Sequence, residues 1–423
     1  MKLFATSFER LCQMRRSVVD LACVSAVFVL GSYAYGQQTL SLHQAIEEGL
    51  RSPAAQVYQG QADQTSALVK QAKLRPNPRL YLQSEDLRPW DSNFSMADNS
   101  ESYIFAGQTV EIAGKRGRRI DFAKANASRA EATAALLRQQ LSARIANAYW
   151  NFAAAKAAME LQKQNLESAD EVVRYHQERV NSGAMRGVDL LRMQLERDRA
   201  QLALQTAEGE ANEFRLQLLR ELGRTTLLGD VQLSDPLVAI DPVAEVSIDV
   251  ALAQRADVRA TNDSVTSART DARLQRANGV PDPDFIGGYK RNVGENSLYT
   301  SLQIPLPFSN RNQGEIARAD ASVRTAEAAR SQTELSARAE IEAARAAYER
   351  SRQMVQATLP EMQTRAKQNL AILDDAYRTG GTDLLRYIDA RRLAVEVELS
   401  VLQRLAEYHA SAVRLQLAYG EQL

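Results

Sequence analysis

Cysteine and aromatic residues are scarce in this chain, and neither sign of charge is in excess. Its 423 residues include two cysteines, 6% aromatics, and 52 basic against 52 acidic side chains. The balanced charge argues against nucleic acid as a main partner, because neutralising phosphates needs a basic surface. After the first forty positions there is no run of about 20 apolar residues, which excludes a polytopic helical membrane protein. Any membrane-spanning part must therefore consist of strands.

The N-terminal segment has the layout of a secretory signal. Arg10, Arg15 and Arg16 precede an apolar run from Val18 to Leu30, and small residues follow as far as Gly36. Because a basic end, a short apolar middle and a small-residue cleavage site mark such signals, residues 1–36 are predicted to be a cleaved signal peptide. The alternative is an N-terminal membrane anchor, but the run is shorter than the roughly 20 residues that a span needs.

Both cysteines, Cys12 and Cys23, lie in that segment. The exported chain would then have no cysteine and no disulfide in an oxidising compartment. Its stability is expected to come from packing and assembly.

The remaining sequence contains one pattern twice, with a period of about 200 residues. A Leu-x-x-Ala start at Leu42 corresponds to Ile-x-x-Ala at Ile248, and the Pro-Asn-Pro at Pro76 corresponds to Pro-Asp-Pro at Pro281. Each proline pair ends a helix with an extended exit. We predict a first repeat over residues 37–229, a linker over 230–245 that contains Pro236 and Pro242, and a second repeat over 246–423.

Each repeat has a candidate strand pair, at residues 79–112 and 283–306. In the last strand, from Leu298 to Leu306, apolar and polar residues alternate with a period of two, which is typical of a strand with one apolar face. Strands of about ten residues in an exported chain have the length that a tilted membrane strand requires.

The sequence of each repeat also predicts one long helical hairpin, at residues 115–222 in the first repeat and 313–419 in the second. Residues 118–180 and 315–378 contain almost no helix breaker, and each helix would span roughly 90–95 Å. Small or apolar residues recur at alternating spacings of three and four, from Leu141 through Phe152 to Met159 in the first helix, which is typical of a coiled coil. Pro360 predicts a kink or a break. Glycine turns at 181–184 and 378–382 end both outgoing helices.

These elements predict a mainly α fold with a small β part. Four strands cannot close a membrane barrel, because the smallest barrels have about eight strands and an open edge in lipid leaves backbone groups unpaired. Two copies would supply eight strands and three copies twelve. A soluble α+β protein with two small hairpins is the alternative, but both strand pairs occupy the same place in equivalent helical hairpins.

In this order, the duplicated motifs resemble the TolC-like outer membrane factors of the outer membrane efflux protein family. The resemblance covers residues 40–420 and includes Asp189-Leu190-Leu191 and Asp383-Leu384-Leu385. The segments from Glu111 to Arg116 and from Pro305 to Gly314 are similar to the branch that serves cobalt-zinc-cadmium and copper-silver efflux pumps.

The resemblance implies a homotrimer with a 12-stranded barrel in the outer membrane of a Gram-negative bacterium and a large periplasmic helical part. It also implies a periplasmic adaptor and an inner-membrane exporter of the resistance-nodulation-division (RND) type as partners. The adaptor would meet the two helix turns, here called the tips, which comprise Ser182, Gly183, Ala184, Thr379, Gly380 and Gly381. Small residues suit close backbone approach, although a role as helix caps explains them equally well.

The resemblance further implies a gate at the periplasmic mouth. Tyr377 and Asp189 match a linking pair, and Asp389 matches a lumen-facing acidic ring, which would concentrate cations in a narrow pore. Thr382 stands where a linking Arg is expected, and Arg386 where an acidic residue is frequent. These departures leave Arg386 or Arg378 as alternative partners in the gate.

Catalysis and cofactor binding have little support in the sequence. The three histidines, His43, His176 and His409, are far apart and lack zinc-site spacing, so no catalytic, cofactor-binding or metal-ligating residue is predicted. His409 is expected to pack within the coiled coil. Two rival functions remain open. One is the same type of channel serving drug efflux or type I protein secretion, and the other is a non-channel periplasmic coiled-coil protein.

Overall fold

The computed structural model describes residues 39–224 and 231–421. The predicted signal peptide with Cys12 and Cys23 lies outside the described residues. The chain divides into two compact units, and the smaller contains residues 39–41 and 231–235 among those described. In this smaller unit Thr39–Leu40 pairs in parallel with Gln232–Leu233. The larger unit contains the described residues from Leu42 to Arg224 and from Pro236 to Glu421.

The elements follow one another twice in a similar order. In chain order they are β1 (Thr39–Leu40), α1 (Leu42–Gly49), α2 (Pro53–Ala72), β2 (Arg79–Glu85), α3 (Met96–Asn99), β3 (Glu101–Thr109), α4 (Lys115–Asn181), α5 (Gly187–Leu222), β4 (Gln232–Leu233), α6 (Ile248–Gln254), α7 (Ala256–Asn278), β5 (Asp284–Asn292), β6 (Glu295–Gln303), α8 (Gln313–Gln353), a π-helical segment (Met354–Thr358), α9 (Leu359–Arg378) and α10 (Leu384–Tyr419). The predicted fold class, mainly α with a small β part, is confirmed.

The four longer strands form one antiparallel sheet in the order β2-β3-β5-β6. On one face Phe105 is buried and its ring lies 4.6 Å from that of Tyr299. Gly288 lies opposite Phe105, where a Cβ would come within 2.1 Å of the Ile104 carbonyl oxygen, so the close approach of the two strands requires glycine. Within the described residues, β2 and β6 each have one unpaired edge.

The strands are shorter than the predicted pairs 79–112 and 283–306. β3 ends at Thr109 and β6 at Gln303. Proline supplies no N–H to a ladder, and Pro305 and Pro307 follow β6 closely. β2 ends at Glu85 because Asp86 has a positive φ of 57°.

The outgoing helix α4 is the centre of the helical packing. Its 67 residues span about 100 Å, and it packs against α2, α5, α7 and α10. Its spaced apolar residues Leu141, Ile145 and Phe152 are buried, as the coiled-coil pattern predicts. In the second repeat, Ile341 and Tyr348 of α8 have the same role in a core shared with α10. Burial of these seams holds the helices side by side.

The predicted interruption near Pro360 is confirmed and takes the form of the π-helical segment. Proline lacks an N–H, and its ring clashes with the carbonyl group four residues earlier. The helix widens over Met354–Thr358, where the Leu359 N–H donates to the Met354 carbonyl, five residues earlier, instead of to the carbonyl four residues earlier. Helices α8 and α9 therefore form one rod with a local defect.

Side chains of α10 contact residues 238–240 of the predicted linker. The His409 Nε2 lies 2.8 Å from the Val238 carbonyl oxygen, and the Tyr408 hydroxyl donates to the Ile240 carbonyl at 3.2 Å. His409 also stacks on Trp150, with ring centroids 3.7 Å apart. Its predicted place in the packed helices is confirmed. Among the described helices, none combines the length and the apolar character needed to cross a membrane.

Candidate functional site

The tips have the same backbone geometry in both repeats. Gly183 and Gly380 have φ angles of +74° and +81°, which residues with a Cβ rarely adopt. The Ala184 N–H donates to the Arg179 carbonyl at 2.8 Å, and the Gly381 N–H donates to the Ala376 carbonyl at 2.7 Å. These are Schellman caps, which satisfy carbonyl groups at the end of α4 and of α9.

The tips leave their backbone accessible. Apart from each glycine and its two chain neighbours, no heavy atom of the described chain lies within 4 Å of the position that a Cβ would take at Gly183 or Gly380. Ser182, Ala184, Thr379 and Gly381 are also exposed. The return helices then start, and Asp383 caps α10 by accepting a hydrogen bond of 2.9 Å from the Arg386 N–H.

Just behind the tips, a hydrogen bond connects the two repeats. The Nε2 of His176, near the end of α4, lies 2.6 Å from the Tyr377 hydroxyl, near the end of α9. The Nδ1 of His176 lies 2.6 Å from the Val172 carbonyl oxygen. Because a carbonyl group can only accept, Nδ1 carries the proton in the neutral ring. Nε2 therefore accepts a hydrogen bond from the Tyr377 hydroxyl.

Burial controls the protonation of both partners. His176 has no exposed surface, and burial lowers its pKa because the charged imidazolium loses its hydration. The nearby Arg179 lowers this pKa further, whereas the Val172 hydrogen bond and Asp189 raise it. Burial raises the pKa of Tyr377 to about 12. The neutral pair is therefore the dominant form near neutral pH.

Aromatic stacking extends this contact into α10. The Tyr377 and Tyr387 rings are 4.8 Å apart and nearly parallel, and Tyr387 packs with Met193 of α5 and Ile388. Helices α4, α5, α9 and α10 thus all contribute to one cluster behind the tips. An open groove of about 730 Å³ runs alongside it and is lined by His176, Tyr377, Tyr387 and charged residues that include Asp374 and Arg391.

The other predicted gate residues surround this cluster. Asp189 lies in the first turn of α5, close enough to raise the pKa of Tyr377, but among the described residues its carboxylate has no hydrogen bond. The Thr382 hydroxyl is buried and has no hydrogen-bond partner in the described chain. Asp389 is exposed on α10. The chain therefore joins Tyr377 to His176 and not to Asp189.

The two alternative arginines form ion pairs within or next to their own helices. Arg386 lies 3.6 Å from Asp383, and Arg378 lies 3.1 Å from Asp374. Both pairs are largely exposed, so each contributes little to stability.

His176 was not among the predicted gate residues, although the sequence carries a signal for it. Continuing the alternating three-and-four spacing from Met159 gives Gln162, Leu166, Ala169, Val173 and His176, of which Gln162, Ala169 and His176 are buried. A histidine on such a seam must find hydrogen-bond partners within the protein.

The model of the outer membrane efflux protein family matches residues 47–224 and 247–421, once in each repeat. The cobalt-zinc-cadmium resistance protein CzcC of Cupriavidus metallidurans is 24% identical over 257 residues, which are 60% of this chain and 59% of that protein. The aligned part is thus under two thirds of the relative's length.

Solved structures share the fold. CusC superposes with a TM-score of 0.75 at 14% identity, over 93% of this chain and 96% of that one. The outer membrane channel MtrE of Neisseria gonorrhoeae gives a TM-score of 0.75 at 18% identity, over 90% and 89%. The duplicated motifs predicted this family, and the match to both repeats confirms it. The chain belongs to the outer membrane efflux protein family.

Proposed function

We propose that the chain is the outer-membrane channel of a tripartite efflux system. It conducts substrate from a periplasmic adaptor and an inner-membrane RND exporter to the exterior. The observation that carries this proposal is the joining of two long helical hairpins to one four-stranded sheet with two unpaired edges. A coiled-coil protein without a channel has no need for such a sheet.

The unpaired edges support a homotrimer. Three copies supply twelve strands, which is enough for a barrel with a lumen, whereas two copies give a barrel filled by side chains. Exposed apolar side chains that alternate along the edge strands, such as Leu80 and Leu82 of β2 and Leu298 and Leu302 of β6, suit contact with lipid.

The tips suit the adaptor contact. They combine accessible backbone, small side chains and identical caps in both repeats, so one kind of adaptor helix hairpin can approach either tip. The tip residues proposed for this contact are Ser182, Gly183, Ala184, Thr379, Gly380 and Gly381.

The gate is proposed to lie just behind the tips. It would comprise Asp189, Tyr377, Thr382, Arg386 and Asp389, with His176 holding Tyr377. Asp189 and Thr382 have polar atoms without hydrogen-bond partners in the described chain, which suits contacts to a neighbouring copy. The exposed Asp389 would form a ring of three carboxylates around the mouth and attract cations.

Heavy-metal cations are the proposed cargo. The similarity to a cobalt-zinc-cadmium resistance protein supports this class, and the turn from Arg311 to Gly314 supports the same branch. The cations would pass through as substrate, and selectivity would reside in the exporter.

A deletion strain tests the proposed cargo, and the purified chain in lipid bilayers tests the proposed channel. We expect sensitivity to zinc, cobalt, cadmium or copper, restored by the wild-type gene, together with ion conductance of the purified chain in lipid bilayers. Drug sensitivity alone would assign the channel to drug efflux, and a secretion defect alone would assign it to type I protein secretion. A purified chain without conductance would overturn the channel itself.

A further inference from the structure

One face of the four-stranded sheet carries exposed apolar side chains that stop at a sharp boundary. Paired residues on neighbouring strands form rows across the sheet. One row consists of large apolar or aromatic side chains, all of them exposed: Leu82, Ile104, Tyr289 and Leu298. The next row on the same face, here called the boundary row, is polar: Ser84, Ser102, Arg291 and Asn296. Because two residues of a strand span about 7 Å, the surface changes from apolar to polar within that distance.

The opposite face of the sheet is polar and has its own ion pair. Successive side chains of a strand point to opposite faces, so Lys290 and Arg291 lie on different faces. The Lys290 ammonium lies 3.1 Å from the Glu101 carboxylate and over the ring of Tyr103. In an outer-membrane barrel the apolar face contacts lipid and the polar face lines the interior. Arg291 therefore belongs to the lipid-facing side.

The boundary row lies at the end of the sheet away from the helices. Helices α2 and α7 lead into β2 and β5, and α4 and α8 follow β3 and β6, so all four connections lie at the other end. Ile304 and Leu306 continue the exposed apolar side chains toward that end. If extended, the segment from Leu298 to Leu306 spans about 27 Å, close to the apolar band of an outer-membrane barrel, which is about 25 Å tall. The boundary row would then lie at the headgroups of the outer leaflet.

Arg291 lacks the partner that a half-buried guanidinium needs. Among the described residues it has no ion pair, and its Nε is buried without a hydrogen-bond partner. An unpaired buried donor costs free energy, and a charged one costs more. Lys290, one residue earlier, has both Glu101 and Tyr103 beside it. The lipid-facing side thus carries a cation for which the described chain supplies no anion.

We propose that the boundary row binds the phosphate group of a glycolipid in the outer leaflet, with Arg291 as the cation. The inference rests on the proposed channel function, which orients the sheet in the membrane. A guanidinium can bind a phosphate through two parallel hydrogen bonds, and one of them can use the Nε–H once the side chain rotates toward the lipid. The hydroxyl groups of Ser84 and Ser102 can donate to further phosphate oxygens.

A second copy of the chain does not supply the missing anion through sheet pairing. Strand β5 is an inner strand, flanked by β3 and β6, so a neighbouring copy can add a strand only beside β2 or β6. Neighbouring strands lie about 4.8 Å apart, so a strand added beside β6 is about 10 Å from Arg291. Lipid therefore covers β5 on its apolar face, whichever copy pairs with the edges.

An exposed tryptophan supports the level of the boundary row in the membrane. Trp90 is 79% exposed in the loop of residues 86–100, which joins β2 to β3 at the same end of the sheet as the boundary row. Tryptophan is enriched at the headgroup level of membranes, because its ring is apolar and its N–H is polar. Its place at this end agrees with a headgroup site there.

Lipid binding by the purified chain tests the site. Native mass spectrometry of the detergent-solubilised chain counts retained lipids, and the probes are lipid A and the same lipid after enzymatic removal of its phosphates. We expect the wild type to bind lipid A at least about tenfold more tightly, because charge-assisted hydrogen bonds are lost with the phosphates. This comparison needs no variant, so it decides the matter even where a variant fails to assemble.

Substitutions on the two faces of β5 locate the effect. Arg291→Gln should lose the preference for lipid A, whereas Arg291→Lys, which keeps the charge but not the planar fork, should retain part of it. Lys290→Gln is the matched control, because it removes a positive charge from the neighbouring position on the opposite face. Its preference for lipid A should equal that of the wild type.

The contrary outcomes are distinct from a failure of the channel. Equal binding of both lipids by the wild type would overturn the site, and so would an unchanged preference in Arg291→Gln. Inorganic phosphate that displaces lipid A at equal concentration would indicate a site for free phosphate and overturn the lipid as ligand. Conductance of the same sample in bilayers would leave the proposed channel intact in each case. A wild-type chain without conductance would instead overturn the proposed function.

Discussion

The Nε2 of His176 accepts a hydrogen bond from the Tyr377 hydroxyl at 2.6 Å, across 201 positions of sequence. The Nδ1–H of the same ring donates to the Val172 carbonyl, which determines the tautomer and the direction of the bond. This contact joins the ends of the outgoing helices of the two repeats. It is a direct polar link between the two repeats just behind the tips.

Removing the Tyr377 hydroxyl should loosen the tips. Tyr377→Phe keeps the ring stack on Tyr387 but leaves His176 Nε2 buried without a partner, which costs about 1–3 kcal/mol. We expect amide hydrogen exchange in residues 172–181 to accelerate at least about fivefold. Tyr348→Phe is the matched control, because the Tyr348 hydroxyl accepts from the Val243 N–H far from the tips. Equal exchange in wild type and Tyr377→Phe would contradict a stabilising role.

The contact should weaken in acid. Burial lowers the His176 pKa in the folded chain, so the unfolded segment binds a proton first as the pH falls. The stabilisation is therefore complete above about pH 6.5 and is lost as the pH falls from there toward the folded-state pKa. Amide exchange of residues 172–181, corrected for intrinsic rates, should show less protection at about pH 5.5 than at about pH 7.5.

His176→Gln should flatten that pH dependence, because glutamine does not titrate and can still accept from the Tyr377 hydroxyl. Burial also lowers the His409 pKa, so exchange around the linker gives a separate reference in the same sample. An unchanged slope at the tips in His176→Gln would assign the pH effect to other groups.

Opening of the proposed gate should be measurable in single channels. We expect Asp189→Ala combined with Tyr377→Phe to raise the conductance in lipid bilayers, because both polar atoms are lost from the mouth. Arg365→Ala removes an exposed ion pair with Glu361 elsewhere on α9 and should leave conductance unchanged. An unchanged conductance in the double variant would contradict the proposed gate.

The tip glycines should tolerate a side chain poorly for backbone reasons alone. Gly183→Ala forces an L-residue into a φ of +74°, at a cost of about 1–2 kcal/mol, although nothing lies near the new methyl group. Gly187→Ala is the control, since Gly187 begins α5 without a positive φ and also has open space around it. Limited proteolysis of the tip should accelerate in the first variant only.

His409 should stabilise the linker by two separable means. His409→Ala removes both the stack on Trp150 and the hydrogen bond to Val238, and we expect a loss of about 2–4 kcal/mol. His409→Phe keeps a ring to stack on Trp150 and should cost only about 1 kcal/mol. Denaturant unfolding of the purified chain measures both, and equal losses would show that the stack contributes nothing.

Features that depend on neighbouring residues were predictable from the sequence. The turn glycines were predicted at Gly183 and Gly380 because a positive φ is a local requirement. The coiled-coil seam of α4 was predicted because helical period and side-chain volume are local too. Pro360 predicted an interruption of the rod formed by α8 and α9. That the interruption is a π-helical segment depends on the hydrogen bond from the Leu359 N–H to the Met354 carbonyl, which the sequence does not specify.

The sequence by itself determined the duplicated plan, the long helices, the strand pairs and the tips, since each follows from local periodicity and backbone preference. Only the tertiary structure decided that Tyr377 of α9 meets His176 of α4, and that His409 of α10 stacks on Trp150 of α4. Those outcomes depend on the rotation and height of one long helix against another. A shift of about 1.5 Å per residue changes every facing pair, and no local pattern specifies it.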